Sequence, residues 1–191
     1  MIMQSSIFPL LAILAPLAGI PGMMSSKNAN VREAWTFASA FATFALALVL
    51  LPGVLDGTEY TLTIAPVIPA VPLALKVDSL GMLFAMVSTP LWIVTSVYSI
   101  GYMRGLHEPN QTRYFCCFAL AISATVGVAF SANLFTMYLF YEMLSFATYP
   151  LVTHHQDPEA RVSGRKYLLY IVGGSIGLAL PAMIIVFSMA G

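Results

Sequence analysis

The chain has 191 residues, of which 59% are hydrophobic and only 8% are charged, and its mean hydropathy is +0.86. Because an ordinary soluble domain carries about 25% charged residues, this composition indicates a membrane protein. The formal net charge is zero, and no basic patch or zinc-ligand spacing is present, which excludes nucleic-acid binding as the function. No composition shift or Gly/Ser-rich linker divides residues 1–191, so we predict a single transmembrane domain.

Uncharged stretches predict about six membrane-spanning helices, since about 20 apolar residues cross the hydrocarbon core of a bilayer. The first stretch has no basic residue before it, so we interpret it as a membrane helix and not as a cleaved signal peptide. A proline- and threonine-rich segment, residues 52–76, is expected to form an outer loop with a short hairpin. The predicted fold class is an all-α, polytopic membrane protein. Its predicted spans are residues 7–24, 34–55, 79–103, 114–130, 134–153 and 167–190.

The basic residues are divided unequally between the loops. Seven of the eight lie in or beside the loops that follow the first, third and fifth spans, on one face of the membrane. Only Lys76 lies on the opposite face. Because cytoplasmic loops carry the Lys/Arg excess, the N-terminus is predicted to lie outside. We expect the membrane to be the inner membrane of a bacterium. The seven residues are Lys27, Arg32, Arg104, Arg113, Arg161, Arg165 and Lys166.

Glu142 is the only charged residue in the long apolar run of residues 114–156. A predicted break at residues 131–133 places it near the middle of the fifth span, where a charged group costs about 2.5–3.5 kcal/mol. Burial disfavours a charged carboxyl and a nearby cation favours it, so such a group can exchange protons. Glu142 is therefore predicted to be a protonatable relay. The alternative is a permanently protonated carboxyl that only holds helices together.

Two polar residues share the predicted helix face of Glu142. Ser145 lies three positions after it, and Thr148 lies three positions further on. A buried carboxyl without a partner either stays neutral or finds water or a cation nearby. We expect this polar edge to face another polypeptide or a downstream part of the same one.

Four further residues are candidates for the proton or ion pathway. Lys166 is the nearest cation after Glu142 in sequence; it either joins the pathway or extends to the membrane interface. Asp78 begins the third span, where a helix-capping carboxylate is the alternative to a pathway role. His154 and His155 follow the fifth span on the inner side, where imidazoles suit proton entry and ordinary loop residues are the alternative. Adjacent histidines lack the i, i+4 spacing of a metal pair, so no metal site is predicted.

Four motifs, in order, resemble those of the antiporter-like subunit family. Residues 76–84 (KVDSLGMLF) are similar to the start of the third family helix, and residues 98–103 (YSIGYM) to its end. Residues 140–145 (FYEMLS), followed by 149–152 (YPLV), resemble the fifth helix, which bears the key glutamate. Residues 164–170 (GRKYLLY) resemble the start of the sixth. The family includes the large subunits of Mrp-type sodium/proton antiporters, the proton-pumping subunits of respiratory complex I, and subunits of membrane-bound hydrogenases.

The resemblance covers about residues 76–191 and is strongest to the Mrp D subunit. It implies a subunit that translocates protons or monovalent cations, with Glu142 as the intramembrane relay. Family members are longer, and a broken helix after these six carries a lysine that partners the glutamate. No residue of this chain matches that lysine, so we expect either a fragment of a longer protein or a split subunit.

The resemblance also implies the partners: other membrane subunits of the same complex, membrane lipid, and protons with or without sodium. The alternative is a proton-pumping or non-conducting scaffold subunit of a complex I-like or hydrogenase complex. No cofactor ligands and no catalytic constellation are recognised, so we predict a transporter subunit and not an enzyme. Whether a redox reaction in other subunits drives it stays open.

The predicted orientation can be tested with topology reporters. A reporter fused after Arg161 should be cytoplasmic, and one fused near Thr58 should be external, because the basic loops stay inside. Activity of compartment-specific reporter enzymes measures both positions. The reverse pattern would overturn the orientation and the proton-entry side assigned to His154 and His155.

Overall fold

The structure is a computed structural model that describes residues 2–68 and 71–190. Helices dominate it, and five segments are long and apolar enough to cross a membrane: Phe8–Ser25, Ala29–Leu55, Ser79–Gly105, Gln111–Ala129 and Pro158–Met189. The elements in chain order are β1 (Ile2–Ser5), α1 (Phe8–Ala18), α2 (Ile20–Ser25), α3 (Ala29–Leu55), β2 (Thr58–Ile68), β3 (Val71–Val77), α4 (Ser79–Gly105), α5 (Gln111–Ala129), α6 (Leu134–Val152), α7 (Pro158–Gly174), a π-helical segment (Ser175–Ala179) and α8 (Leu180–Ala190).

The fifth predicted span is α6, which is absent from that set of five because Glu142, three tyrosines and Pro150 make it less apolar. Contacts at its two ends show that it runs the length of the bundle. At its start, the Asn133 amide donates a 2.8 Å hydrogen bond to the carbonyl of Pro72, next to the sheet. After its end, the carbonyl of His154 accepts a 2.5 Å bond from Arg113, near the start of α5. Helix α6 is therefore antiparallel to α5 and covers the same depth.

Side-chain caps explain where four of the helices begin. Asn28, Asp78, Asn133 and Asp157 stand immediately before α3, α4, α6 and α7, and each side chain accepts a hydrogen bond from a backbone N–H of the first turn. Such caps satisfy donors that the helix itself leaves free. The predicted break at residues 131–133 is confirmed, because α5 ends at Ala129 and Asn133 caps α6.

A three-stranded sheet covers one end of the bundle. β1 pairs with β2 in parallel, and β2 pairs with β3 in antiparallel fashion. Strand β3 is fixed to the α5–α6 loop by two backbone bonds, from Lys76 to Phe130 (2.7 Å) and from Ala132 to Ala74 (3.0 Å). The expected hairpin is thus present, whereas the all-α prediction is wrong for this region. We call this the hairpin end.

The opposite end of the bundle, which we call the basic end, gathers the charged loops. The start of α3 and the end of α4 meet there through Glu33 and Arg104, and the start of α5 meets the α6–α7 loop through Arg113. The N-terminal strand lies at the hairpin end, where Lys76 pairs with Glu59 at 3.0 Å. The predicted separation of basic loops from the N-terminus agrees with this arrangement. Which end faces the cytoplasm stays a prediction.

The buried core lies between α1, α3, α4 and α5. Trp92 and Phe115 fill its basic half, and Leu50 and Phe130 fill the half beneath the sheet. The last span lies at the edge of this core, since only 6% of the residues in its apolar stretch are buried inside the protein, against 33–39% in the other four candidate spans. Helix α6 lies between the core and that last span, so its inner face packs on α5 and its outer face meets α7.

Gly81 allows α4 to approach α5 closely. A Cβ atom at this position would lie 2.3 Å from the carbonyl oxygen of Ala129, which belongs to the backbone and cannot rotate away. We expect Gly81→Ala to lower the free energy of unfolding by about 1–3 kcal/mol, the usual cost of overpacking. Thermal unfolding in detergent measures the change. Gly101→Ala in the same helix is the matched control, because no atom lies within 4 Å of its added methyl group; equal stability of the two variants would contradict the packing.

Candidate functional site

Glu142 lies near the middle of α6, about 12 Å from Leu134 along the helix axis at 1.5 Å per residue. Its side chain is half-buried between α6 and the last span. The carboxylate oxygen Oε1 accepts a hydrogen bond from the hydroxyl of Ser175, which is itself only 4% exposed. Glu142 therefore has one neutral hydrogen-bond donor and, among the described residues, no ion-pair partner.

Ser175 opens the π-helical segment that joins α7 to α8. A π-helical turn holds more residues than an α-helical one, so it changes which side chains face the neighbouring helix. Such segments are frequent at functional sites. Ser175 was not predicted from the sequence as a partner of Glu142. The indication that the sequence contains is a serine after Gly173 and Gly174 in an otherwise apolar span.

A groove of about 450 Å³ borders this hydrogen bond and opens to the outside of the bundle. Its walls come from α6, α7, the π-helical segment and the start of α8. Ser175, whose hydroxyl group donates to the Glu142 carboxylate, therefore lines a groove that opens to the outside of the bundle. Its lining residues include Tyr141, Tyr170, Ile171, Gly174, Ser175 and Leu178.

The polar edge of α6 faces a downstream part of the same chain, which is one of the two expected alternatives. Ser145 donates to the carbonyl of Tyr141 at 3.0 Å. The hydroxyl of Thr148 is bonded to the hydroxyl of Tyr167 on α7 at 2.6 Å, and it also donates to backbone carbonyls of α6. Helix α7 therefore covers this edge, because the fold folds α7 back along α6.

A second group of charges lies at the basic end and was not identified from the sequence. The guanidinium of Arg104 holds the carboxylate of Glu33 with two hydrogen bonds, of 2.8 and 2.5 Å. Arg32 lies 3.5 Å from the same carboxylate and donates to Gln111 at 2.7 Å. Glu33 is 6% exposed. Because both of its oxygens are paired, this network ties α3, α4 and α5 together, as bidentate Arg–carboxylate pairs do.

His154 and His155 lie in the α6–α7 loop, beside a carboxylate that the sequence reasoning also missed. Nε2 of His154 is 3.7 Å from Oε2 of Glu108, and Nδ1 of His155 is 3.8 Å from the same atom. The ring of Tyr114 stands edge-on to that of His154, with ring centres 6.1 Å apart. Burial, followed by the charge of Arg113, lowers the pKa of His154 below its ordinary value. Its neutral form is therefore favoured at neutral pH.

The two other predicted candidates lie away from Glu142. Asp78 accepts a 2.7 Å hydrogen bond from the N–H of Gly81 and thereby caps α4, which is the expected alternative to a pathway role. Lys166 is exposed on α7 and forms no ion pair with any residue that the structure describes. The structure thus brings neither of them to the carboxylate. His154 lies at the end of the same helix as Glu142 but beyond direct contact.

Comparison with known proteins identifies two family regions in the chain. Residues 69–115 match the family described as "NADH-Ubiquinone oxidoreductase (complex I), chain 5 N-terminus", and residues 131–191 match "NADH:quinone oxidoreductase/Mrp antiporter, TM". Together the two regions cover more than half of the chain. Glu142, Ser175 and the two histidines fall within the second.

Curated relatives and a solved structure agree with this family. The chain is 33% identical over 118 residues to the "Na(+)/H(+) antiporter subunit A1" of Staphylococcus haemolyticus, and 30% identical over 115 residues to the protein of that name in Staphylococcus aureus. These matches cover 61% and 56% of this chain but only 14% of each relative. The resemblance to the D subunit stays a prediction, because these relatives are A1 subunits.

The fold also matches a chain of the membrane-bound sulfane sulfur reductase, an archaeal respiratory membrane complex, with a TM-score of 0.77. The match covers 95% of this chain and 28% of that one, at 16% sequence identity, so it shows a shared fold alone. The two family regions and the curated relatives lead to one conclusion. The chain is an integral membrane protein of the antiporter-like subunit family, to which Mrp antiporter and complex I subunits belong.

Proposed function

We propose that the chain is a proton- or monovalent-cation-translocating subunit of a multi-subunit antiporter of the Mrp type, with Glu142 as its intramembrane proton relay. The observation that supports this most directly is the position of Glu142, half-buried at mid-depth and bonded to a single hydroxyl group. An intramembrane ionisable residue is by default a site for protons or ions. The names of the two curated relatives, both sodium/proton antiporter subunits, point to the same function.

The contact with Ser175 explains how one carboxyl group can take both states. The hydroxyl group can donate a hydrogen bond to the ionised carboxylate, and it can equally accept a hydrogen bond from the O–H of the neutral acid, since a serine oxygen is both donor and acceptor. Neither state leaves the hydrogen-bonding capacity of Ser175 unused. A guanidinium or ammonium group at this place would instead hold Glu142 in its charged form.

The other pathway candidates are included in the proposal according to their surroundings. His154 and His155 lie at the basic end of α6, where they are suited to exchange protons with the solvent. Lys166 and Asp78 have less support, because one is exposed on α7 and the other is engaged as a helix cap. We further propose that the complex lies in a bacterial inner membrane, with other membrane subunits and lipid around this chain.

A second candidate function is a proton-pumping or non-conducting subunit of a complex I-like or hydrogenase-type complex. The family descriptions favour it specifically, because both name NADH:quinone oxidoreductases and one also names the Mrp antiporter. A pumping subunit would use Glu142 in the same way. A scaffold subunit would keep the Glu142–Ser175 contact without any need for titration.

Substitution of Glu142 tests the relay. Glu142→Gln keeps the size and hydrogen bonding of the side chain but cannot titrate, so we expect assembly to be retained and translocation to fall by at least about tenfold, since removing a proton-transfer group typically costs 10²–10⁴-fold. Glu142→Asp should keep partial activity, because its carboxyl group remains with a shorter reach. Proton movement in membrane vesicles that contain the full complex measures both variants.

The matched control is Glu159→Gln, which removes an exposed carboxylate from the first turn of α7. It should transport at the wild-type rate. Wild-type transport by Glu142→Gln in a fully assembled complex would leave only the structural role for this residue.

A further inference from the structure

Two loops at the basic end bring three titratable side chains to one point. Glu108 comes from the α4–α5 loop, and His154 and His155 come from the α6–α7 loop. A single carboxylate oxygen of Glu108 faces both imidazole rings, at 3.7 and 3.8 Å. These separations exceed hydrogen-bond length by nearly 1 Å, so a small movement would close either contact.

The inner part of this cluster lacks hydrogen-bond partners. The side chains of Glu108 and His154 are 13% and 12% exposed, and Oε2 of Glu108 and both ring nitrogens of His154 are shielded from water without a bond to any described residue. A buried polar group left unpaired is destabilising, so its presence requires an explanation. The side chain of His155, in contrast, is 63% exposed. The cluster therefore has a solvent-exposed side, at His155, and buried polar atoms without hydrogen-bond partners, at Glu108 and His154.

The backbone of the two loops is unusual at the same place. Among the described residues, the three non-glycine positions with positive φ are His107, Asn110 and Gln156, at 52°, 53° and 58°. Two of them flank Glu108 and the third follows the histidines. Left-handed backbone at residues other than glycine costs free energy and is concentrated at functional sites. The loops are thus held in a costly conformation that keeps Glu108 against the imidazoles.

The charges around His154 act in opposite directions on its affinity for a proton. Burial lowers the pKa of the imidazole, and so do the charge of Arg113, which donates a 2.5 Å hydrogen bond to the carbonyl of His154, and the neighbouring His155. Glu108 raises this pKa, and so does the nearby backbone of Pro109. Tyr114 contributes an aromatic edge to the same ring. The protonation of His154 is therefore controlled by residues of α5 and of both loops.

We propose that Glu108, His154 and His155 form a proton-exchange site at the basic end of the bundle. A proton from the solvent binds the exposed ring of His155, passes to the carboxylate of Glu108 and then binds Nε2 of His154; release follows the reverse order. Each transfer breaks one O–H or N–H bond and forms another, so no other reactant is needed. Protonated His154 draws Glu108 to charge-assisted hydrogen-bond distance, about 2.7–2.9 Å, which pairs Nε2 of His154 with Oε2 of Glu108.

This site rests on the proposed function and adds to it the place where protons enter or leave the basic end of α6. Between His154 and Glu142 the same helix presents Thr148, whose hydroxyl is bonded to Tyr167.

Opposite charge changes around His154 provide the test. Glu108→Gln removes the group that raises the pKa of His154, so half-protonation should move to lower pH, by about one pH unit, as a close opposite charge does. Arg113→Gln removes a group that lowers it, so half-protonation should move to higher pH. Ring-nitrogen NMR of the histidine-labelled protein measures the titration, and proton movement in vesicles containing the full complex measures whether the pH profile of transport moves with it.

The control is His107→Asn, which removes an exposed imidazole from the same loop and places there a residue that tolerates positive φ. It should change neither the titration nor transport. The exchange site is supported if the pH of half-protonation of His154 moves in opposite directions in the two variants and the pH profile of transport moves with it. It is overturned if that pH does not move, if it moves in the same direction in both variants, or if the pH profile of transport stays unchanged. Because the titration is read without transport, this result is independent of whether Glu142→Gln conducts.

Discussion

The free-energy cost of a carboxyl group at the middle of a membrane governs the arrangement around α6. On insertion scales a charge at this depth costs about 2.5–3.5 kcal/mol, and a hydrogen bond to a charged group returns about 1.5–3 kcal/mol. The contact from Ser175 is of this kind, and among the described residues Glu142 has no further partner. The hydrogen bond from Ser175 therefore offsets part of the cost of placing this side chain at mid-depth.

The bundle places its strong ion pairs at the basic end and keeps them out of the middle. Glu33 is fully paired by Arg104, whose two bonds join α3 to α4. Glu108 differs, because its neighbours are imidazoles at distances beyond a hydrogen bond. The two carboxylates thus differ in how closely their partners hold them.

The sequence predicted the features that depend on local chemistry. The α5–α6 break follows from Asn133, whose side chain caps the next helix, and the hairpin follows from a polar, proline-containing stretch that no membrane helix could include. The grouping of basic residues at one end follows from the alternation of charged loops and apolar spans. Glu142 was identified because a single charge in a long apolar run has no local explanation.

The remaining features depend on contacts between distant parts of the chain. The partner of Glu142 is 33 positions away, and its direction is set by a π-helical turn that no simple periodicity predicts. Arg104 and Glu33 are 71 positions apart, and Glu108 meets the histidines across two separate loops. The polar edge of α6 was expected to face another polypeptide or a later segment; the contact with Tyr167 shows that the later segment is α7, which folds back along α6.

The proposed relay requires that Glu142 changes its protonation state during transport. Infrared difference spectroscopy of the active complex in membranes tests it directly, because a carboxylic acid and a carboxylate have separate C=O stretching bands. We predict a band that appears and disappears as the proton gradient is imposed and released, that shifts in Glu142→Asp and that is lost in Glu142→Gln. A difference spectrum identical in the wild type and Glu142→Gln would contradict the relay.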